Sequence, residues 1–237
     1  MRDKKPIISI FLNFLVIIAS FIGIFLTLSG QDMYTDKSKA LLFYTLQSNI
    51  ISLIVSIVYV VFMFLVIYGT IKNIPSILLI IKFVTTCGIT LTLIVFWLFL
   101  APYAEDKLYL VSLSNLTLHT FAPMLCVIDF ILFNPDFKLI FNKFYYAIFE
   151  PLYYLFFFLI CSFYGVTFGP EKTDIAPYYF LNYRKYGWFK ITENSLGVVY
   201  WLVLLLLLMC GIAFILIYSN KYFNKKFNKK SNIDFII

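Results

Sequence analysis

Residues 195–219 read SLGVVYWLVLLLLLMCGIAFILIYS, a run with no acidic or basic side chain anywhere in it. A helix rises about 1.5 Å per residue, so about 20 apolar residues cross the roughly 30 Å hydrocarbon core of a bilayer. This run exceeds that length. Back toward the N-terminus, five more segments meet the same criterion, at roughly 7–29, 40–68, 76–100, 108–133 and 147–168. The expectation is an all-α polytopic membrane protein, one membrane domain over residues 1–237 built as a six-transmembrane-helix bundle and ending in a basic tail, 220–237. Composition agrees: 62% of residues are hydrophobic and 13% charged, with mean hydropathy +0.91, where a soluble domain carries about 25% charged residues.

The charges that remain sort by side. Arg2, Lys4, Lys5, Lys72, Lys138, Lys143 and the tail lysines 221, 225, 226, 229 and 230 fall on one side of the expected spans. Lys37, Lys39, Lys107, Lys172, Arg184, Lys185 and Lys190 fall on the other, diluted by Asp32, Asp36, Glu105, Asp106, Glu171, Asp174 and Glu193. The positive-inside rule places the first set, with both termini, in the cytoplasm of a cell-membrane protein. The net charge of +7 thereby reads as a topology signal, and no nucleic-acid partner is inferred. The first apolar run is too long for a signal peptide and lacks a small-residue cleavage motif, so it reads as a retained span.

Cys87, Cys126, Cys161 and Cys210 each lie in a different apolar segment without metal-ligand spacing, and four free thiols are expected. With a single histidine the chain offers no ligand set, so neither a metal nor an organic cofactor is implied.

Function is sought in the polar groups that lie inside spans, because lipid satisfies none of them. In the second span Thr45, Ser48, Asn49, Ser52, Ser56 and Tyr59 fall on one narrow helical stripe, with Gln47 off it. Such a stripe is either interhelical glue or the wall of a cavity. The fourth span carries the only histidine, His119, one turn from Asn115, with Cys126 on the same face and Pro123 beside it. Thr45 and His119 lie in spans of the same direction at depths about 5–9 Å apart before tilt, so a shared site is feasible. A threonine hydroxyl beside a neutral imidazole is a nucleophile–base pair, and Asn49, Asn115, Gln47 and Ser48 are candidates to orient the histidine or donate to an oxyanion. Lys82 and Asp129 lie at similar depth near the opposite end and are expected to form a buried structural ion pair, unless Lys82 snorkels. Glu150, before Pro151, is expected to reach water at the end of the fifth span. The aromatic connection 169–194 reads either as an interfacial belt or as a lid over a cavity.

The stretches Phe43-Tyr44-Thr45-Leu46-Gln47-Ser48-Asn49 and Asn115-Leu116-Thr117-Leu118-His119-Thr120, followed by Pro123 and Asp129, resemble the androgen-induced gene product family of six-span membrane proteins, which includes the androgen-dependent TFPI-regulating protein and a bacterial branch. Pro151-Leu152-Tyr153-Tyr154 and Pro177-Tyr178-Tyr179-Phe180 with Gly187 match more weakly. Animal members are threonine hydrolases of fatty acid esters of hydroxy fatty acids, and the motifs align their nucleophile with Thr45 and their histidine with His119. Gln47-Ser48-Asn49 follows the bacterial pattern, and Asp129 stands where animal members can have glutamate, so substrate identity does not carry over. The resemblance implies a membrane-embedded hydrolase whose partners are membrane lipid and a hydrophobic ester substrate. The alternatives are a non-enzymatic binder or transporter, with the polar stripe lining a path, and a scaffold whose stripe packs without a cavity.

Overall fold

The computed structural model describes residues 5–30, 37–104, 106–133, 141–168, 173–193 and 195–233. Arg2, Lys4, Asp32, Asp36, Glu105, Lys138, Glu171 and Lys172 of the charge pattern lie outside them. The described residues form an all-α bundle with six helices long and apolar enough to cross a membrane: α1 Lys5–Ser29, α2 Tyr44–Ile67, α3 Ser76–Tyr103, α4 Leu113–Phe133, α5 Phe144–Phe163 and α6 Val198–Lys225. Phe11, Phe21, Phe25, Leu207, Phe214 and Ile215 stand exposed on its flank. An apolar surface of this kind calls for lipid, and the protein is a multi-pass membrane protein.

Boundaries moved where local chemistry overrode hydropathy. The fifth span stops at Phe163, short of the expected 168, because Gly165 takes φ 74°. Gly165 N–H then donates to Ser162 O at 3.1 Å and Val166 N–H to Cys161 O at 3.0 Å, the paired bonds that close a helix on a left-handed residue. The last helix runs on to Ile233, so residues 220–233 of the expected tail continue α6. The second span begins at Tyr44, after a separate 3₁₀ segment, Lys37–Leu42, where the hydropathy had placed its start at 40. The connection after α5 carries one short hairpin, Ile191–Thr192 with Ser195–Leu196.

At the end of the bundle where α1 begins, the expected Lys82–Asp129 ion pair is present and buried. Helix α1 completes it in a way the charges alone did not foretell. Ser9 Oγ donates to Asp129 Oδ1 at 2.5 Å and Asn13 Nδ2 to Asp129 Oδ2 at 2.9 Å. Lys82 Nζ also donates to Asn13 Oδ1 at 3.1 Å and lies 3.2 Å from the centroid of the Tyr59 ring in α2. One carboxylate and one ammonium therefore join four helices. Asn220 of α6 donates to Phe130 O at 2.6 Å, which ties α6 to the last turn of α4. All four cysteines are free thiols, as expected.

Glu150 does not reach water. It is buried, its carboxyl packed against Gly88 of α3 with no hydrogen-bond partner for either oxygen among the described residues. Helix α5 enters deeper in the bundle than its hydropathy implied, which carries Glu150 inward.

Breaking the ion pair on one side strands a charge in a medium that cannot solvate it. Lys82→Met is expected to destabilise the fold by about 3–5 kcal/mol, read as a lower unfolding temperature in detergent. The double variant Lys82→Met with Asp129→Leu recovers most of that loss.

Candidate active site

At the opposite end of the bundle α2 begins with no side-chain cap, and Thr45 is its second residue. A threonine in a helix ordinarily bonds its hydroxyl back to the carbonyl three or four positions earlier. Here both carbonyls are taken: Leu41 O accepts from Gln47 Nε2 at 3.0 Å and Leu42 O accepts from Tyr154 Oη at 3.0 Å. The Thr45 hydroxyl faces His119 Nε2 instead, at 3.2 Å.

The imidazole is fixed from its other nitrogen. His119 Nδ1 lies 3.2 Å from Asn115 O, and a carbonyl only accepts, so Nδ1 carries the proton. That leaves the Nε2 lone pair toward the Thr45 hydroxyl. The ring stacks on Phe96 with centroids 3.8 Å apart and an interplanar angle of 24°.

His119 lies in a π-helical turn, Thr117–Phe121, and Phe96 opens another, Phe96–Leu100. Single π turns inside α-helices recur at functional sites, and the one in α4 has an identifiable consequence. Ala122 N–H donates to Thr117 O, one residue further back than in an α-helix. Leu118 O would next look to residue 123, but Pro123 has no N–H. Asn49 Nδ2 fills the vacancy at 3.1 Å and also donates to Thr45 O at 2.8 Å. A single amide thus ties the turn of Thr45 to the turn of His119. Gly23 of α1 gives this segment room, since a Cβ there would meet Leu118 Cγ and Thr117 Oγ1 at 2.6 Å.

The remaining expectations divide. Thr45, Ser48, Asn49, Ser52, Ser56 and Tyr59 are all buried, so the stripe is a packed interface. Ser48 is committed to Thr92 Oγ1 at 2.8 Å and Thr45 O at 3.1 Å, and it does not reach the histidine. Gln47 serves the Leu41 carbonyl; it acts on Thr45 only by keeping that acceptor occupied. The Asn115 side chain donates to Leu110 O at 2.9 Å, so its main-chain oxygen, not its amide, orients His119. Cys126 pairs with Ser52 at 3.2 Å and stays outside the site. Phe96 and Thr92 of α3 were missed, because their span has no single polar face that would single them out.

Thr45 also forms part of the wall of a cavity of about 240 Å³. Its other walls are Leu91, Val95 and Phe96 of α3, Pro151 and Leu155 of α5, Leu205 and Met209 of α6, and Tyr178, Phe180 and Leu181 of the long connection. Leu152 and Leu206 line it too and are exposed on the bundle's flank, so it reaches the apolar surface between α5 and α6. The connection is therefore partly a lid: Tyr178, Phe180 and Leu181 turn inward, while Phe189 and Ile191 remain exposed. His119 stands behind Thr45, outside the lining. Among the described residues no cluster of His, Cys, Asp or Glu is placed to hold a metal ion.

Comparison with family models, with curated proteins and with solved structures finds no match to this chain.

Removing the amide that joins the two turns is expected to loosen both. Asn49→Leu leaves the Leu118 carbonyl buried without a donor, at a cost of about 1–3 kcal/mol. The measurement is the unfolding temperature in detergent, with Gln47→Leu, whose amide serves one carbonyl only, expected to lose less.

Proposed function

We propose that this protein is a membrane-embedded hydrolase of lipid (fatty acyl) esters, with Thr45 as nucleophile and His119 as general base and then acid. The observation that carries the reading is the Nε2 lone pair of a tautomer-fixed imidazole 3.2 Å from the hydroxyl of Thr45, a residue in the wall of an apolar cavity. The resemblance of the Thr45 and His119 motifs to the androgen-induced gene product family supports the same pair. The charge pattern supports termini in the cytoplasm and a site toward the outer leaflet of the cell membrane.

In this reading an acyl chain enters the cavity from the bilayer beside Leu152 and Leu206 and brings its ester carbonyl to Thr45. Thr45 Oγ1 bonds to the carbonyl carbon while its proton passes to His119 Nε2. The ester C–O bond then breaks, and the leaving alkoxide takes that proton and departs as an alcohol. Water attacks the acyl-threonine, gives a proton to Nε2, and collapse returns the proton to the Thr45 oxygen with release of the fatty acid. The Asn115 carbonyl holds the Nδ1 proton throughout and offsets the transient positive charge. Asn49 is a positioning residue, since both of its donor bonds go to main-chain carbonyls.

A lipid binder without chemistry is the second reading, favoured by the cavity's almost wholly apolar walls and by His119 lying outside them. Labelling of the purified protein with a lipophilic fluorophosphonate separates the two. Wild type is expected to label, and Thr45→Ala and His119→Ala to lose labelling by at least about a thousandfold while remaining folded. Labelling that survives Thr45→Ala removes Thr45 as the nucleophile and moves the assignment to binding.

A further inference from the structure

Tyr178 arrives at the nucleophile from the long connection, far from both motifs in sequence. Its ring is fixed on three sides, stacked on Phe180 with centroids 5.4 Å apart and meeting Phe43 at 5.9 Å and Tyr154 at 6.3 Å. Its hydroxyl oxygen accepts from the Thr45 main-chain N–H at 3.4 Å. That is a long bond, in a helix first turn whose N–H groups lack partners from within the helix. Acyl transfer needs donors aimed at the oxygen that becomes negative, and the nucleophile's own N–H is a recurrent one.

We propose that Tyr178 is a catalytic residue, its O–H and the Thr45 N–H together forming the oxyanion hole of the lipid-ester hydrolase. This rests on Thr45 being the nucleophile. In the resting protein the two groups lie against each other across the long N–H···O contact. When Thr45 Oγ1 attacks, the carbonyl π pair moves onto oxygen, and that oxygen draws one hydrogen bond from each group. No proton leaves Tyr178; when the carbonyl re-forms, both bonds relax. Burial pushes the Tyr178 phenol above its ordinary value, so the hydroxyl keeps its proton into the alkaline range. The connection is then more than a cover, because it brings one of the two donors to Thr45.

The test uses the full-length protein in lipid nanodiscs with p-nitrophenyl decanoate. Tyr178→Phe keeps the ring and its packing, and is expected to lower kcat by about a hundredfold to a thousandfold with KM little changed. Tyr179→Phe, a neighbouring phenol outside the acyl cavity, is expected to leave kcat within about twofold. A fluorinated tyrosine at position 178, more acidic but nearly isosteric, is expected to bring the alkaline fall of kcat to lower pH. A lid that only packs would not move that limb. Wild-type kcat in Tyr178→Phe, with Thr45→Ala inactive, overturns the assignment and leaves the nucleophile in place. Full turnover by Thr45→Ala, or a wild type that neither turns over nor labels, overturns both.

Discussion

A carboxylate inside a hydrocarbon layer must find its counter-charge and its hydrogen bonds within the protein, and Asp129 finds all of them on other helices. Ser9 and Asn13 come from α1 and Lys82 from α3, with the Lys82 ammonium resting on the Tyr59 ring of α2. Lipid tails are as apolar as the side chains they would replace, so hydrophobic burial alone gives these helices little reason to choose one another. The ionic cluster supplies that choice. It sets which faces of α1, α2, α3 and α4 turn inward at one end, and the faces carrying Thr45 and His119 follow at the other.

Between the ends, the register of α4 is adjusted by one π turn, and its chemical consequences are local. Pro123 offers no N–H, Leu118 O is left open, and Asn49 of α2 closes it. The same amide holds the Thr45 carbonyl, so an irregularity in one helix becomes a fixed distance between two. An α-helical α4 would carry His119 on a different azimuth relative to Asn115 and Phe96. Gly23 permits the arrangement by letting α1 pass close to the widened turn.

Hydropathy and spacing made the six spans and the Lys82–Asp129 pair legible, because each rests on a strong penalty: long apolar runs and buried charges. For Thr45 and His119 spacing only allowed a meeting, and it was the resemblance of their motifs that singled them out. What escaped depended on groups with no sequence signature. The orienting acceptor is the main-chain oxygen of Asn115, which any residue there would supply. Ser9 and Asn13 lie in a span whose average is apolar, and two small polar residues do not disturb that average. Glu150 was misplaced because hydropathy locates a span along the chain and says nothing of the depth at which a helix enters. Tyr178 sits among so many loop aromatics that only the fold separates it from the interfacial ones.

The availability of the Thr45 hydroxyl is itself a product of where α2 begins. Thr27, Thr86, Thr90 and Thr117 all lie deeper within their helices, and each returns its hydroxyl to the carbonyl four residues back. That bond is the easy outcome for a threonine in lipid, since it satisfies the hydroxyl without a partner helix. Thr45 sits in the first turn, so the carbonyls it would use belong to the preceding 3₁₀ segment, where side chains of α2 and α5 have already claimed them. A start one turn earlier would place a regular helical carbonyl behind Thr45 and draw the hydroxyl away from His119. Thr45 and His119 are therefore held apart from the surrounding glue by a helix boundary, and the residues guarding that boundary, Gln47 and Tyr154, bear on Thr45 without touching its side-chain oxygen.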